Sequence, residues 1–414
     1  MGCGASTPLP SEEEAPVIEV PGWNGVVYPQ KSERVKIIRK HSGNMATMTH
    51  TTTADMADVN AQIAAESTAG AGFRFVGWNY PVGSVIGAGD TLQPRDFKRP
   101  TEFSIHAEDE METFAMMVFQ QVDMPASPLE TKVVSSEMSF EVSMSLKDLR
   151  HKATGYEELW SKLKLLGDEG YSLSAVVDEP GQKMPGQCTA STASGIVSGL
   201  ASGLANAAAG TLAAVPVIGT VTLVGQRVAG AAPRATTYIV QDVPIETTGH
   251  NKNQGMNQTS QEEHLGPQNI KATMPTLHAT LEEHFGPKKC KLAAVYNPSI
   301  MDRTSWKADK YVKACHLIFE PTDEPYAVCV VDTAISIFYG KNEGVNYASY
   351  LSVIENFVAK GWELAAEIDM PDCAVKRGGS FLTVPTTSTV KLVFQAKSNQ
   401  PGLVTATAPP VPVA

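Results

Sequence analysis

The sequence predicts an α+β fold of tandem β-β-α-β-β units, antiparallel sheets each with a helix packed on one face. Two stretches, 156–180 and 347–371, align with each other without a gap. In each, apolar residues recur at helical spacing, and a glycine and an alternating strand pattern follow. Further strand patterns flank both stretches, so the whole unit is predicted to occur twice.

The two stretches share residues that have defined structural roles. The identical pairs are Tyr156/Tyr347, Ser161/Ser352, Gly170/Gly361, Leu173/Leu364, Ala175/Ala366, Asp178/Asp369 and Pro180/Pro371. The apolar stripes of the two predicted helices are Tyr156, Leu159, Trp160, Leu163 and Leu166, and Tyr347, Tyr350, Leu351, Ile354 and Phe357. Gly170 and Gly361 follow these helices, where a positive φ is needed to end the helix. Trp160, Tyr171 and Trp362 are interpreted as core residues.

Strand patterns complete each unit. They are 114–119, 138–146 and a closing strand at 237–241 in the first unit, and 314–319, 328–339 and 391–395 in the second. A partial third unit is predicted upstream, where a helix at Ala57–Glu66 leads through glycines into the strand Phe73–Pro81. Its order of helix, glycine, aromatic residue, strand and proline matches that of the two full units.

These patterns predict six regions along the chain. They are an acylated tail at 1–30, a partial unit at 31–100, a first repeat domain at 101–245 with an apolar insert at 188–226, a polar linker at 246–290, a second repeat domain at 291–398, and a Pro/Ala-rich tail at 399–414.

Composition excludes several classes of protein. The net charge of -11 disfavours nucleic-acid binding, which needs a basic face. The six cysteines form no CxxC pair, which argues against a zinc site and a dense disulfide framework. The first residues lack the basic and apolar regions of a secretory signal peptide.

The N-terminus fits a lipidation motif. It reads Met1-Gly2-Cys3-Gly4-Ala5-Ser6, so that removal of Met1 exposes Gly2 for N-myristoylation, and a hydroxyl residue follows at Ser6. Cys3 is adjacent and is the candidate for S-palmitoylation. One myristoyl chain binds membranes only marginally, whereas two acyl chains give a stable anchor.

The repeats and this start together resemble the raftlin family. The residues that carry the resemblance are Tyr347–Pro371 with its Gly-Trp-Glu-Leu turn, Gly378–Phe381, Lys391–Gln395, Gly72–Gly77 and the Met1–Gly4 start. The resemblance implies a dually acylated protein of lipid rafts, on the cytoplasmic face of the plasma membrane, that supports receptor signalling or endocytic uptake. The resemblance assigns a function to two residues of this sequence, Gly2 and Cys3, which are the expected acylation sites. The chain departs from the family in its order of units, its apolar insert and its lack of a long charged tail, which puts any particular receptor partner in doubt.

The apolar insert is open to two interpretations. No charged residue lies between Lys183 and Arg227, and Gly195, Gly199 and Gly203 have the small-xxx-small spacing of packed helices. A single membrane span would place two strands of one sheet on opposite sides of the bilayer. A loop or a protein-packed helical hairpin is therefore favoured, and membrane contact is the alternative.

Candidate chemistry is sparse. Glu262-Glu263-His264 recurs as Glu282-Glu283-His284, which is either a duplicated docking motif or, less favoured, a pair of metal-ligand clusters. The sequence lacks phosphate-binding, nucleophile-elbow and HExxH motifs. Cys315 and His316 are neighbours on a predicted strand, so their side chains point apart. We therefore expect no enzyme activity, no cofactor and no metal.

The sequence thus favours a membrane-microdomain adaptor that contacts lipids through its acylated N-terminus and binds receptor or trafficking proteins. The basic run of Lys31, Arg34, Lys36, Arg39 and Lys40 is interpreted as an ordinary solvated face, with contact to anionic lipid as the alternative. The rival function is a soluble small-molecule or peptide-binding module. It would require a pocket lined by the aromatic residues of the repeats.

Overall fold

The structure is a computed structural model. It describes residues 27–44, 49–68, 72–80, 106–121, 127–144, 149–184, 215–248, 269–298, 302–303, 310–340, 344–370, 373–375, 383–399 and 401–404. The helices in these ranges are α1 (Ala57–Thr68), α2 (Tyr156–Asp168), α3 (Leu277–Phe285) and α4 (Ala348–Val358). The helices predicted at Ala57–Glu66 and in the two aligned stretches are confirmed as α1, α2 and α4.

Strands make up most of the described residues, and the longest lie side by side in antiparallel pairs. In chain order they are β1 (Gln30–Asn44), β2 (Thr49–Asp55), β3 (Phe73–Asn79), β4 (His106–Gln121), β5 (Leu129–Met144), β6 (Leu149–Thr154), β7 (Ser172–Met184), β8 (Val215–Val228), β9 (Ile239–Thr248), β10 (Asn269–Thr273), β11 (Cys290–Tyr296), β12 (Asp302–Arg303), β13 (Lys310–Pro321), β14 (Tyr326–Gly340), β15 (Gly344–Asn346), β16 (Glu363–Asp369), β17 (Cys373–Val375), β18 (Thr383–Lys397) and β19 (Gly402–Val404).

The strands form four small antiparallel sheets. The first has the order β2-β1-β4-β3 and the second the order β6-β5-β8-β7. The third is β10-β9-β13-β11 and the fourth is β15-β14-β18-β16. Short edge pairings, β2 with β7 and β10 with β17, join the first sheet to the second and the third to the fourth.

The four sheets close into a ring like that of a β-propeller. The strands β3, β7, β11 and β16, which we call the inner strands, each contact the inner strands of the two neighbouring sheets. Each inner strand carries a bulge near its start, at Val76, Ser174, Ala293 and Ala365. The surface where two neighbouring sheets pack together is called a seam below, so the ring has four seams.

Each helix fills the seam between its own sheet and the next. For example, α1 contacts β1 and β3 of the first sheet and β5 of the second, whereas α4 contacts β14 and β16 of the fourth sheet and β1 of the first. The hydrophobic cores are shared in the same way. Met116 and Val118 of the first sheet pack with Tyr350 and Phe357 of the fourth unit, in one buried cluster. No sheet therefore has a core of its own.

The predicted fold class is wrong. The chain is mostly β, and four small antiparallel sheets in a ring replace the expected tandem β-β-α-β-β units of an α+β protein. The physical reason lies in the cores, because burial of apolar residues from two sheets in one cluster joins neighbours into a closed assembly. Sequence periodicity predicts which residues are buried but not which sheet covers them.

Several segments also lie in other secondary-structure elements or sheets than the sequence predicted. The strand predicted to close the first unit, at 237–241, instead begins β9, which pairs with β10 and β13 in the third sheet. The stretch predicted as a polar linker contains β10 and α3. The last part of the predicted apolar insert is β8, which pairs with β5 and β7 along its length. Residues 188–214 of that insert lie outside the described residues.

Candidate functional site

The predicted lipidation sites, Gly2 and Cys3, lie outside the described residues. Among the helices of the described part, none is both long and apolar enough to cross a membrane. The structure therefore describes the surfaces and interior of the ring and not the segment that carries the predicted lipidation sites.

The basic run on β1 is largely engaged with the protein itself. Lys31 forms an ion pair with Glu66 and lies over the ring of Phe73. Arg34 lies over Phe114 at 4.2 Å. Lys31 and Arg34 are thus held against other residues of the ring, which favours the interpretation of the run as an ordinary face of the fold.

Three glutamines close three of the four seams. Gln226 Oε1 accepts a hydrogen bond from the backbone N–H of Phe75 at 3.0 Å, and Gln120 Oε1 accepts one from the N–H of Leu364 at 3.1 Å. Gln395 bonds to both the N–H and the carbonyl oxygen of Leu292. In each case the glutamine satisfies a backbone group beside a bulge of the neighbouring inner strand, where the ladder is interrupted.

The seam between the second and third sheets is built differently. The position of the glutamine is taken by Glu320, which follows Phe319 on β13 as Gln395 follows Phe394 on β18. Its Oε2 lies 3.4 Å from Lys291 Nζ. Leu173 lies directly before the bulge of β7, as Phe75 and Leu364 do in β3 and β16. Its backbone N–H donates to the Tyr238 hydroxyl at 2.7 Å instead of to a glutamine. Tyr238 in turn donates to the carbonyl oxygen of Tyr171, and burial raises its pKa.

A small cavity lies on the axis of the ring. Its volume is about 40 Å³, and residues from all four inner strands line it. That volume fits water molecules but is far below the several hundred Å³ of typical small-molecule sites. Gly77 faces Glu367 here, and a Cβ at position 77 would lie 2.2 Å from Glu367 Oε1.

Glu367 is the ionisable group that lines this cavity. Tyr350 of α4 donates a hydrogen bond to its Oε1, whereas its Oε2 is buried without a hydrogen-bond partner. Burial raises the pKa of Glu367 to about 8, with the Tyr350 hydrogen bond acting in the opposite direction. Glu367 is therefore mostly protonated at neutral pH, which avoids a buried negative charge.

The second ionisable cluster surrounds His316 in the seam between the second and third sheets. Tyr296 stacks on His316 with ring centroids 5.6 Å apart, and Tyr156 and Trp160 of α2 lie 4.7 and 5.5 Å from it. His316 Nδ1 is 2.6 Å from Asp242 Oδ1. We call these five residues the His316 cluster.

Burial dominates the chemistry of the His316 cluster. His316 is 4% exposed, and among the described residues neither its Nε2 nor the Tyr296 hydroxyl has a hydrogen-bond partner. Desolvation lowers the pKa of His316, and the hydrogen bond with Asp242 opposes that shift. Because Nε2 is enclosed, it is not placed to act as a base on a substrate in this conformation. The cluster is instead a buried titratable group in a seam.

The second Glu-Glu-His sequence lies on α3. Glu282 and Glu283 are exposed, whereas His284 is buried. The His284 ring stacks on Phe319 with centroids 4.0 Å apart, and its Nδ1 donates a hydrogen bond to the carbonyl oxygen of Thr280. The three side chains therefore do not converge, and within the described ranges no group of three or more His, Cys, Asp or Glu residues is placed to bind a metal ion. The first copy, Glu262-Glu263-His264, lies outside those ranges.

Sequence reasoning found the aromatic residues but not their arrangement. Trp362 is buried, as predicted, and Trp160 and Tyr171 are half-buried. The glutamines, Glu367 and the pairing of His316 with Asp242 were missed. A usable signal existed for the glutamines, because Phe-Gln lies near the end of both β4 and β18, with the phenylalanine opposite the residue that precedes the bulge of the inner strand.

Comparison with known proteins gives no relative. The chain matches no protein-family model, no curated protein and no solved structure.

Proposed function

We propose that the protein is a dually acylated, non-enzymatic adaptor on the cytoplasmic face of the plasma membrane, resembling the raftlin family. The observation that carries the proposal is the Met1-Gly2-Cys3-Gly4 start with Ser6. Myristate on Gly2 and palmitate on Cys3 supply the affinity for ordered lipid, and the ring supplies surfaces for protein partners. The raftlin resemblance extends the proposal to raft organisation, receptor signalling and endocytic uptake.

The interior of the ring is consistent with a role in presenting surfaces. Two cavities lined by described residues, on the axis and between α1 and the second sheet, have volumes of about 40 and 30 Å³. The larger aromatic residues, such as Phe357 and Trp362, fill cores rather than line an open pocket. A soluble small-molecule carrier built on the repeat aromatics is therefore less favoured than an adaptor.

The deciding experiment tests whether the N-terminal acyl groups, rather than the folded ring, hold the protein on membranes. Wild type, Gly2→Ala, Cys3→Ser and the matched control Gly4→Ala are expressed without an N-terminal tag, and cells are fractionated. We expect wild type and Gly4→Ala in membranes, Gly2→Ala in the soluble fraction, and Cys3→Ser distributed between the two because one acyl chain binds only marginally. Intact-mass spectrometry of the N-terminal peptide identifies the acyl groups. Equal solubility of all four variants, or an unmodified peptide, would refute the proposal.

A further inference from the structure

The seam between the second and third sheets differs from its three counterparts in the groups that close it. In the other seams a neutral glutamine side chain bonds to backbone groups of the neighbouring inner strand. Here Glu320 takes that position and the Tyr238 hydroxyl satisfies Leu173. Closure here therefore depends on the Tyr238 hydroxyl, which bonds to Leu173 and Tyr171 of the second sheet, whereas the ion pair of Glu320 with Lys291 stays within the third sheet.

The same seam contains a buried histidine, His316, at a strand position where the other three sheets have no histidine; the other buried histidine of the described residues, His284, lies on α3. His316 lies four residues before Glu320, and the residues four before the three glutamines are Met116, Thr222 and Lys391. All four residues occupy the same register position, three residues past the bulge of the inner strand. Met116 is the buried apolar residue among the three counterparts of His316. Met116 is buried in its own seam, and its side chain cannot take up a proton.

The elements packed around His316 offer one counter-charge. Strand β9 contributes Asp242, whose side chain is 68% exposed, β11 contributes Tyr296, and α2 contributes Tyr156 and Trp160. A single carboxylate that is mostly in water compensates only partly for burying an imidazolium.

Of the carboxylates on these elements, Asp242 is the one that raises the pKa of His316 against the effect of burial. Asp178 of β7 acts electrostatically on Tyr296, and Glu157 and Glu158 at the start of α2 are exposed. Because no group in the described part of the chain bonds to His316 Nε2, a second proton there would have no acceptor among the residues of the closed seam.

We propose that this seam is an acid-sensitive joint, at which the ring opens when His316 takes up a proton. Opening separates α2 and the inner strand β7 from β11 and β13, and it exposes the His316 cluster to water. The other three seams stay closed, because a neutral amide bonds there to backbone groups of the neighbouring inner strand, and the one carboxylate of the described residues on these glutamines, Glu363 beside Gln395, lies on the same sheet as Gln395.

The direction of the pH effect follows from linkage. Burial lowers the pKa of His316 in the closed ring below its ordinary value of 6.5, so the open form binds more protons as the pH falls. Stability of the closed seam is complete above the ordinary value and declines as the pH falls toward the lowered one. If one proton is responsible, the equilibrium constant for opening rises by at most about tenfold for each unit that the pH falls. Between pH 7 and pH 5 the rise is at most roughly 25-fold.

Hydrogen exchange resolved by peptide tests the joint on the whole chain. Exchange is measured at pH 7 and pH 5 and corrected for the intrinsic pH dependence of amide exchange. We expect protection in α2 and β13 to fall at pH 5, whereas β4 and α4, on either side of the Met116 seam, keep theirs. A loss spread evenly over all helices and strands would overturn the joint in favour of global acid unfolding.

His316→Met, which copies the internal counterpart Met116, is the decisive variant. We expect it to retain protection in α2 and β13 at both pH values. If that variant opens at pH 5 as wild type does, His316 is not the group that responds. Loss of protection confined to α3 would point to His284, the other described histidine whose pKa burial lowers, and would also overturn the proposal.

Asp242→Asn provides a second test that is independent of core packing, since Asp242 is largely exposed. Without the carboxylate the closed seam holds an imidazolium less well, so we expect a larger loss of protection between pH 7 and pH 5 than in wild type. An unchanged or smaller loss would contradict the role assigned to His316.

Discussion

The Gln226 side chain and the Phe75 backbone are joined by a hydrogen bond of 3.0 Å, although 151 residues separate them in the chain. Gln226 is 3% exposed, and its Nε2 donates to Ser67 Oγ at 2.7 Å and to Thr131 Oγ1 at 3.1 Å. One side chain thus ties α1 and β3 of the first sheet to β5 and β8 of the second. The contact stabilises the ring rather than any single sheet.

We predict that Gln226→Leu destabilises the protein by about 1–3 kcal/mol, because it leaves the Phe75 N–H buried without a partner. Urea unfolding, followed by circular dichroism, measures the change. Gln241→Leu is the matched control, since the hydrogen bond of Gln241 to the Asp242 carbonyl oxygen is exposed to solvent, and its effect should stay within about 0.5 kcal/mol. Equal effects of the two substitutions would refute the role of Gln226.

The positions of individual helices could be predicted from the sequence because their signals are local. Gly170 and Gly361 have the predicted positive φ, at 81° and 88°, and the apolar stripes of α2 and α4 are largely buried. Ring closure could not be predicted in this way. It depends on glutamines that reach backbone groups 103 to 244 residues away in the chain, and no local pattern encodes those pairings.

The third sheet was missed for a local reason. Its turn between α3 and β11 places Lys289 and Cys290 where the other three turns have a glycine and an aromatic residue. Lys289 has a φ of 49°, so the backbone takes the same left-handed turn without the residue that marks it in sequence. The stretch therefore had the composition of a polar linker.

The lysine at this turn leads to the prediction that a glycine at position 289 increases the stability of the protein. A lysine in the left-handed region is strained by about 1–2 kcal/mol, and glycine removes the strain at a cost of about 0.5–1 kcal/mol in chain entropy. Lys289→Gly should therefore stabilise the protein by about 0.5 kcal/mol in urea unfolding. Gly361→Ala, the reverse change at the corresponding turn, should destabilise it. A loss of stability in Lys289→Gly would show that the turn is not strained.

The space beside Glu367 gives a prediction about packing on the axis. A Cβ at position 77 would meet Glu367 Oε1 at 2.2 Å and Val118 Cβ at 3.1 Å. Gly77→Ala should therefore destabilise the protein by about 1–3 kcal/mol. If the clash with Glu367 is responsible, combining it with Glu367→Ala should cost at least about 1 kcal/mol less than the sum of the single changes.

Gly225→Ala is the matched control for that double-mutant cycle. Its Cβ would lie 3.0 Å from Tyr171 and has no contact with Glu367. Its effect should therefore add to that of Glu367→Ala within about 0.5 kcal/mol. Additive behaviour of Gly77→Ala would assign its cost to Val118 and the surrounding strands instead.

Glu367 also predicts how stability changes with pH. In the folded ring its pKa is raised from 4.5 to about 8, so the folded state binds the proton more tightly than the unfolded chain. This stabilisation is fully present below pH 4.5 and is lost as the pH rises toward 8, with a slope of at most about 1.4 kcal/mol per pH unit. Glu367→Gln keeps the shape of the protonated acid and removes the titration. Urea unfolding of the two proteins between pH 5 and 9 should therefore give a stability difference that grows in favour of the glutamine variant as the pH rises. The exposed Glu169→Gln should follow wild type over the same range, and a constant difference between wild type and Glu367→Gln would show that Glu367 does not hold its proton in the ring.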